Sequence, residues 1–551
     1  MIAGKASWPH DFVERYRRAG YWRSATLGDA IIEAALRDPA REALVDGARR
    51  TTYGELAAKS ERLAHHLVER GISGGARVVF QLPNTTEFVV AYLACLRVGA
   101  VPIACLPTHR HTEIGHLARH AEAVAWLVPS EFRGFDFVQM VGELRAEVPS
   151  VRHVLVAGPR AGDGMTRLDD LLSDPIEDRA APGALDAHRP SPSDAAVFQL
   201  SGGTTGLPKI IPRTHDDYLY NSLCFAGASG FDRDSVLLVA VPIAHNFPLA
   251  CPGLQGALLL GARVVLAPSP SPEVVFPLIA KERVTWIPAV PATAIAWLND
   301  KRRAEHDLRS IRTLAVGGQR LNPEPARAVV DAFGPVLMQV YGMAEGLLCC
   351  TKPGDPADVV VETQGRPVSP GDEIRVIGDD GRPVAPGELG ELQTRGPYTI
   401  RGYYRADDYN RTAFTPDGFY KTGDLVRLHP SGNIVVEGRS KDVINRGGEK
   451  VGAEELENAI LGHGSVHNVA VVGMPDAVLG ERVCAFVVLK ADAGVTLGEL
   501  RAFLSPRMAS YKLPERLELR LELPQTSVGK ISKKALREEI SALLTAQASV
   551  P

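Results

Sequence analysis

The chain has 551 residues, with 61 Lys and Arg against 65 Asp and Glu and a formal net charge of -4, a balance without the basic excess of a nucleic-acid binder. Its 45% hydrophobic and 23% charged content is that of an ordinary globular protein, and its length calls for two or more domains. There is no run of about 18 uncharged apolar residues to span a membrane, and Lys5, His10, Asp11 and Glu14 interrupt any leader core. Seven scattered cysteines fit reduced thiols in a cytoplasmic protein.

The elements follow one another as strand and helix. Residues 27–35 read as a helix, and Thr52-Tyr53-Gly54-Glu55 opens another with Leu56, Leu63, Ala64 and Leu67 on one face. Residues 77–82 form a strand that turns at Pro83-Asn84. A nearly all-apolar helix over 88–98 stops at Gly99, and the next strand covers 100–104. The alternation recurs at 124–128 and 154–156 and predicts an α/β fold with a parallel sheet. Residues 158–193, dense in Pro, Gly, Asp and Ala, read as a surface excursion. Strands are expected at 195–200, 237–241, 264–266, 313–316 and 336–340, and a small β subdomain from about residue 360. A compact tail follows Gly438-Arg439, with a helix at 454–461 and strands at 469–472 and 483–489. The expected domains are therefore residues 1–440 and a small α+β domain, 441–551. Cys349-Cys350 lacks metal or redox spacing and reads as packing.

The most informative stretch is Ser201-Gly202-Gly203-Thr204-Thr205-Gly206-Leu207-Pro208-Lys209. Three glycines let consecutive N–H groups turn toward an anion, three hydroxyls add donors, and Lys209 adds a mobile positive charge. No G-x-x-x-x-G-K-[ST] spacing fits it, and Ile210-Ile211-Pro212 is a poor helix start. The loop is placed between two strands, holding a polyphosphate without a helix dipole.

This motif resembles the phosphate loop of the adenylate-forming superfamily, which includes acyl-CoA synthetases, luciferases and the adenylation domains of peptide synthetases. Its companions occur in order: Gly317-Gly318-Gln319, Tyr341-Gly342-Met343-Ala344-Glu345, Tyr420-Lys421-Thr422-Gly423-Asp424, Gly438-Arg439-Ser440-Lys441-Asp442, Asn445-Arg446-Gly447-Gly448-Glu449-Lys450-Val451, and the segment ending at Gly529-Lys530. The resemblance implies ATP and Mg2+ as cofactors. Tyr341 would stack on adenine, Glu345 would ligate magnesium, and Asp424 with Arg439 would hold the ribose. The glycine pair Gly317-Gly318 would lie flat against adenine or acyl group. Lys530 would be the catalytic lysine, assisted by Glu345 and Lys209, Lys441 the hinge of a rotating C-terminal domain, and Gly448 the border of a thiol tunnel. Ala344 stands where many relatives carry Thr, which removes a hydroxyl near the α-phosphate.

Within that superfamily the chain resembles the enzymes that activate hydroxybenzoates for siderophores and related natural products. The likeness is carried by His245-Asn246-Phe247-Pro248-Leu249-Ala250-Cys251 and by Met343-Ala344-Glu345-Gly346. It implies that Asn246 pairs with the carboxylate or ortho-hydroxyl and that Cys251 faces the ring's 3-position, with His245, Phe247, Gly317, Val340 and Leu348 around the ring. Phe247 with Cys251 is the less polar pair, matching salicylate enzymes; 2,3-dihydroxybenzoate enzymes typically carry Ser at the Cys251 position. The expected reaction is activation of salicylate to salicyl-AMP and transfer to a phosphopantetheinyl aryl carrier protein. A 2,3-dihydroxybenzoate ligase and an aryl ligase using free coenzyme A are the alternatives. A phosphate-transferring kinase or a non-catalytic nucleotide binder would have no use for Lys530 or the hinge.

Overall fold

The computed structural model describes residues 4–201, 207–446, 449–476, 478–526 and 530–548. Two large sheets occupy the first four hundred residues. One is seven-stranded, in the order Ile210–Thr214, Ala195–Leu200, Val101–Ala104, Arg77–Phe80, Ala125–Pro129, His153–Ala157, Thr166–Arg167. All its neighbours run parallel except the first pair, which is antiparallel. The other is nine-stranded and brings Val236–Val239, Trp286–Ala289, Thr313–Gly317 and Leu337–Met343 side by side in parallel. Parallel strands need crossover helices on their faces, which is why the predicted strands read as unbroken apolar runs.

Local chemistry explains several boundaries. Thr52 and Glu55 form a reciprocal capping box at the start of Tyr53–Glu69. Gly99 ends Thr86–Val98 in the left-handed region at φ 67°, where a β-carbon would be strained. That helix is buried on nearly every side, in keeping with its apolar sequence. Cys349 and Cys350 are fully buried as packing residues. One segment differs from expectation. Residues 158–193 hold the strand Thr166–Arg167 and the helix Leu168–Ser173, and Leu168, Leu171 and Leu185 join the main core. Gly253–Leu260 is a buried helix between two of the parallel strands.

A four-stranded antiparallel sheet follows, in the order Glu373–Ile377, Gly390–Arg395, Tyr420–Leu428, Ile434–Arg439. After the short turn Ser440–Asp442 the chain enters a separate five-stranded sheet, from Val443–Arg446 through Arg516–Arg520, with its own apolar clusters. That last unit packs back on the first: Glu454 lies 3.6 Å from the place a β-carbon would take on Gly438. No helix among the described residues is long and apolar enough to cross a membrane.

Candidate active site

The phosphate-loop motif closes a hairpin between Ala195–Leu200 and Ile210–Thr214, as its flanks predict. Its neck is tied twice. Ser201 N–H donates to the Lys209 carbonyl at 2.9 Å, and Lys209 N–H donates to Ser201 Oγ at 3.0 Å. Gly202, Gly203, Thr204, Thr205 and Gly206 lie outside the described residues, as does Gly448. The Lys209 ammonium stands over the Tyr409 ring at 4.1 Å and faces Tyr403 at 6.0 Å.

Tyr403 connects this lysine to Glu345. Its phenol donates to Glu345 Oε1 at 2.7 Å and shares a hydrogen bond with the Tyr420 hydroxyl at 2.8 Å. Burial, then the negative charge of Glu345, pushes the Tyr403 phenol far above its ordinary pKa, so it stays a neutral donor. The backbone around Glu345 is clamped from both sides. Its carbonyl accepts from Ile400 N–H at 2.8 Å, and Gly346 at φ 128° passes so close to Thr399 that a β-carbon would overlap it. The fully buried Arg213 donates to the Ala344 carbonyl at 3.0 Å, to Asp217 at 2.8 Å and to Asn221 at 3.3 Å.

On the neighbouring sheet Asp424 is held by two groups. The Tyr341 phenol donates to Oδ2 at 2.6 Å and Arg439 Nε donates to Oδ1 at 2.9 Å, with Asp424 and Arg439 paired in register. Burial, then the Asp424 charge, raises the Tyr341 phenol well above its usual range. Chiefly through the same carboxylate, Arg439 is held firmly cationic.

The third part is an apolar pocket with few polar groups. A β-carbon on Gly317 would stand 3.1 Å from Val340 Cβ and 3.4 Å from Phe247 Cε1, so glycine leaves room between the strand and the ring. Phe247, Cys251, Val340 and Leu348 are buried in one core cluster. Asn246 Nδ2 lies 3.6 Å from Cys251 Sγ, and Asn246 Oδ1 accepts from the Tyr218 phenol at 2.7 Å. His245 Nδ1 accepts from Phe247 N–H at 3.4 Å, which puts the proton of the neutral ring on Nε2. Burial, then the charge of Lys530, pushes His245 down to about 4, so the ring is neutral at physiological pH. Lys530 arrives from the segment after the last sheet: its Cε is 3.8 Å from the β-carbon position of Gly318. Its backbone is anchored to Thr526 by Thr526 N–H to Lys530 O at 2.6 Å and Lys530 N–H to Thr526 Oγ1 at 3.2 Å.

These contacts bring the residues together in three groups: Lys209 with Glu345 through Tyr403, Tyr341 with Asp424 and Arg439, and Lys530 with Gly318 and His245 beside Asn246, Phe247, Cys251, Gly317, Val340 and Leu348. Lys441 lies apart, in the turn Ser440–Asp442 between the sheets. Sequence reasoning missed Arg213, Tyr218 and Tyr403. The Thr214–Asp217 capping box, which places Asp217 one turn from Arg213, was the one legible hint of the buried ion pair. Among the described residues no group of three or more His, Cys, Asp or Glu side chains is assembled to hold a metal. A single carboxylate such as Glu345 fits Mg2+, which uses one or two carboxylates beside substrate phosphates.

The architecture and this constellation are those of an adenylate-forming ligase, and the chain belongs to the AMP-binding enzyme family. The family profile matches residues 31–404, and that of the AMP-binding enzyme C-terminal domain matches residues 455–530. Among curated proteins it is 50% identical to a salicylyl-CoA synthase / salicylate adenylyltransferase of a Streptomyces species, over 98% of both chains. It is 46% identical to a 2,3-dihydroxybenzoate-AMP ligase of Bacillus subtilis, over 99% of both. Among solved structures, the Mycobacterium smegmatis MbtA apo structure is 44% identical, with a TM-score of 0.75 over 98% of this chain and 99% of that one.

Proposed function

We propose that the protein activates salicylate with ATP, forming salicyl-AMP and pyrophosphate, and then passes the salicyl group to the phosphopantetheine thiol of an aryl carrier protein. The observation that carries this reading is the meeting of Lys530 with Gly318 and His245 at the Phe247–Gly317–Val340 pocket. A lysine from the C-terminal unit is brought beside this apolar cluster.

In the first half-reaction the salicylate carboxylate attacks the α-phosphorus, and two anions must approach each other. Lys530 neutralises charge on the carboxylate and the α-phosphate as the bond forms. His245 offers a neutral Nε2–H donor beside it. Ser201 to Lys209 hold the β- and γ-phosphates, and Tyr341 with Arg439 fix the Asp424 carboxylate toward the ribose hydroxyls. Magnesium, held by Glu345 with the nucleotide's own phosphates, would stabilise the departing pyrophosphate. Asn246 meets the ortho-hydroxyl of the ring, and Cys251 faces its 3-position. We take the chain to divide at 440/441, with Lys441 as the pivot that withdraws Lys530 for the thiol-transfer step and Gly448 beside the thiol's path.

Support for the aryl substrate comes from Asn246 and Cys251 and from the two curated relatives. Free coenzyme A is the second reading, favoured by the name of the Streptomyces relative. ATP–pyrophosphate exchange across a panel of aryl acids tests the substrate, with salicylate expected first; exchange with no aryl acid would overturn the reading. Loading of radiolabelled salicylate on a holo aryl carrier, compared with salicyl-CoA formation, tests the acceptor. A preference for free coenzyme A would refute the carrier assignment.

A further inference from the structure

Asn246 is the one polar side chain reaching into the apolar pocket from Asn246–Ala250, and its carboxamide has two chemically opposite ends. Which end faces the ring is decided by residues outside the pocket. Tyr218, fully buried in the helix His215–Ser229, donates its phenol proton to Asn246 Oδ1 at 2.7 Å. Behind it, Gln199 Nε2 donates to the Ala244 carbonyl at 3.3 Å, which points the nitrogen end of that amide away from its own strand. The same Gln199 amide also hydrogen-bonds the Tyr218 phenol. Arg213, stacked over the Tyr218 ring at 4.3 Å, adds a positive charge on the same side.

The phenol has one proton, and it gives that proton to Asn246. Only an oxygen can take that proton, so the Asn246 carboxamide turns Oδ1 to Tyr218 and Nδ2 the other way. On that side Nδ2 touches Cys251 Sγ at 3.6 Å, a weak acceptor that leaves the amide its capacity for a stronger partner.

We propose that Tyr218 is a positioning residue that locks Asn246 as a hydrogen-bond donor, so that the pocket selects aryl acids with an accepting ortho-hydroxyl over those with a donating ortho-amine. The inference rests on the reading above that Asn246 meets the ortho substituent. Salicylate gives its phenolic proton to its own carboxylate and keeps oxygen lone pairs for Nδ2. Anthranilate gives one N–H to its carboxylate and turns the other toward Nδ2, donor against donor, and its nitrogen lone pair is delocalised into the ring. A mismatch of that kind in a buried site costs roughly a hundredfold in kcat/KM.

The test is ATP–pyrophosphate exchange with salicylate, anthranilate and benzoate, using the full-length enzyme, Tyr218→Phe and Asn246→Asp. Wild type should favour salicylate over anthranilate by about a hundredfold, and Tyr218→Phe, whose Asn246 amide is free to turn, should shrink that ratio to about tenfold or less. Benzoate, with no ortho group, should stay within about twofold of wild type in Tyr218→Phe. Asn246→Asp, an acceptor only, should reverse the preference toward anthranilate. An unchanged salicylate-to-anthranilate ratio in Tyr218→Phe, or an equal loss on all three acids, would overturn the proposal while leaving salicylate activation intact. Should Tyr218→Phe fail to fold, a retained salicylate preference in Asn246→Asp overturns it. Wild-type enzyme inactive on every aryl acid removes the functional reading itself, and the proposal with it.

Discussion

Asp372 offers a quantitative test of how the pocket wall is built. Its carboxylate accepts from the Tyr398 phenol at 2.5 Å, and the same phenol oxygen accepts from Leu348 N–H at 3.1 Å behind the pocket. Burial pushes this carboxyl from 3.8 up to about 7, with the Tyr398 hydrogen bond opposing only part of the rise. The folded protein thus binds a proton here that the unfolded chain has released, between pH about 4 and about 7. Stability from this group is full below the unfolded value and is lost as pH rises through the folded one. At about 1.4 kcal/mol per pKa unit, the loss across the window reaches up to about 4 kcal/mol. Asp372→Asn keeps the shape and cannot ionise. The assay is the melting temperature of both proteins at pH 5, 6.5 and 8. Asp372→Asn should exceed wild type by a margin that grows from pH 5 to pH 8, by the equivalent of about 3 kcal/mol over the two further pKa units. Other titrating groups cancel in that comparison. A difference between the two proteins that does not change with pH would refute the reasoning.

Three further outcomes follow from the site. Lys530→Ala should depress salicylate-dependent pyrophosphate exchange by about a hundredfold or more and still allow transfer from supplied salicyl-AMP to a thiol; equal loss of both steps would contradict its assignment. Lys441→Pro fixes φ near about −65° at the turn between the sheets. It should keep exchange activity and lose thioester formation, measured by loading of the holo carrier, and full loading would dismiss the hinge. A 3-hydroxyl set against Cys251 and Phe247 is poorly paired and should cost 2,3-dihydroxybenzoate about tenfold to a hundredfold in kcat/KM against salicylate. Cys251→Ser should narrow that gap, and a wild-type preference for 2,3-dihydroxybenzoate would overturn the pocket assignment.

Local sequence determined the elements and the motif positions. The Thr52–Glu55 cap, the stop at Gly99 and the hairpin on which residues 201–209 sit depend on contacts within a few residues. Chemistry of that range leaves a readable imprint in residue type and spacing. The parallel sheets were legible for a related reason: strands buried on both faces must be apolar throughout. Tertiary structure alone decided how the site is held together. Tyr218 meets Asn246 28 residues away, Tyr403 meets Glu345 58 away, Tyr341 meets Asp424 83 away, and Arg213 meets Ala344 131 away. No periodicity or cap marks such pairs in advance. A buried tyrosine or arginine looks like any core or surface residue in the sequence until folding removes water and leaves its polar atoms one available partner. The same holds for Lys530, whose place beside Gly318 and His245 depends on how the last sheet docks against the rest.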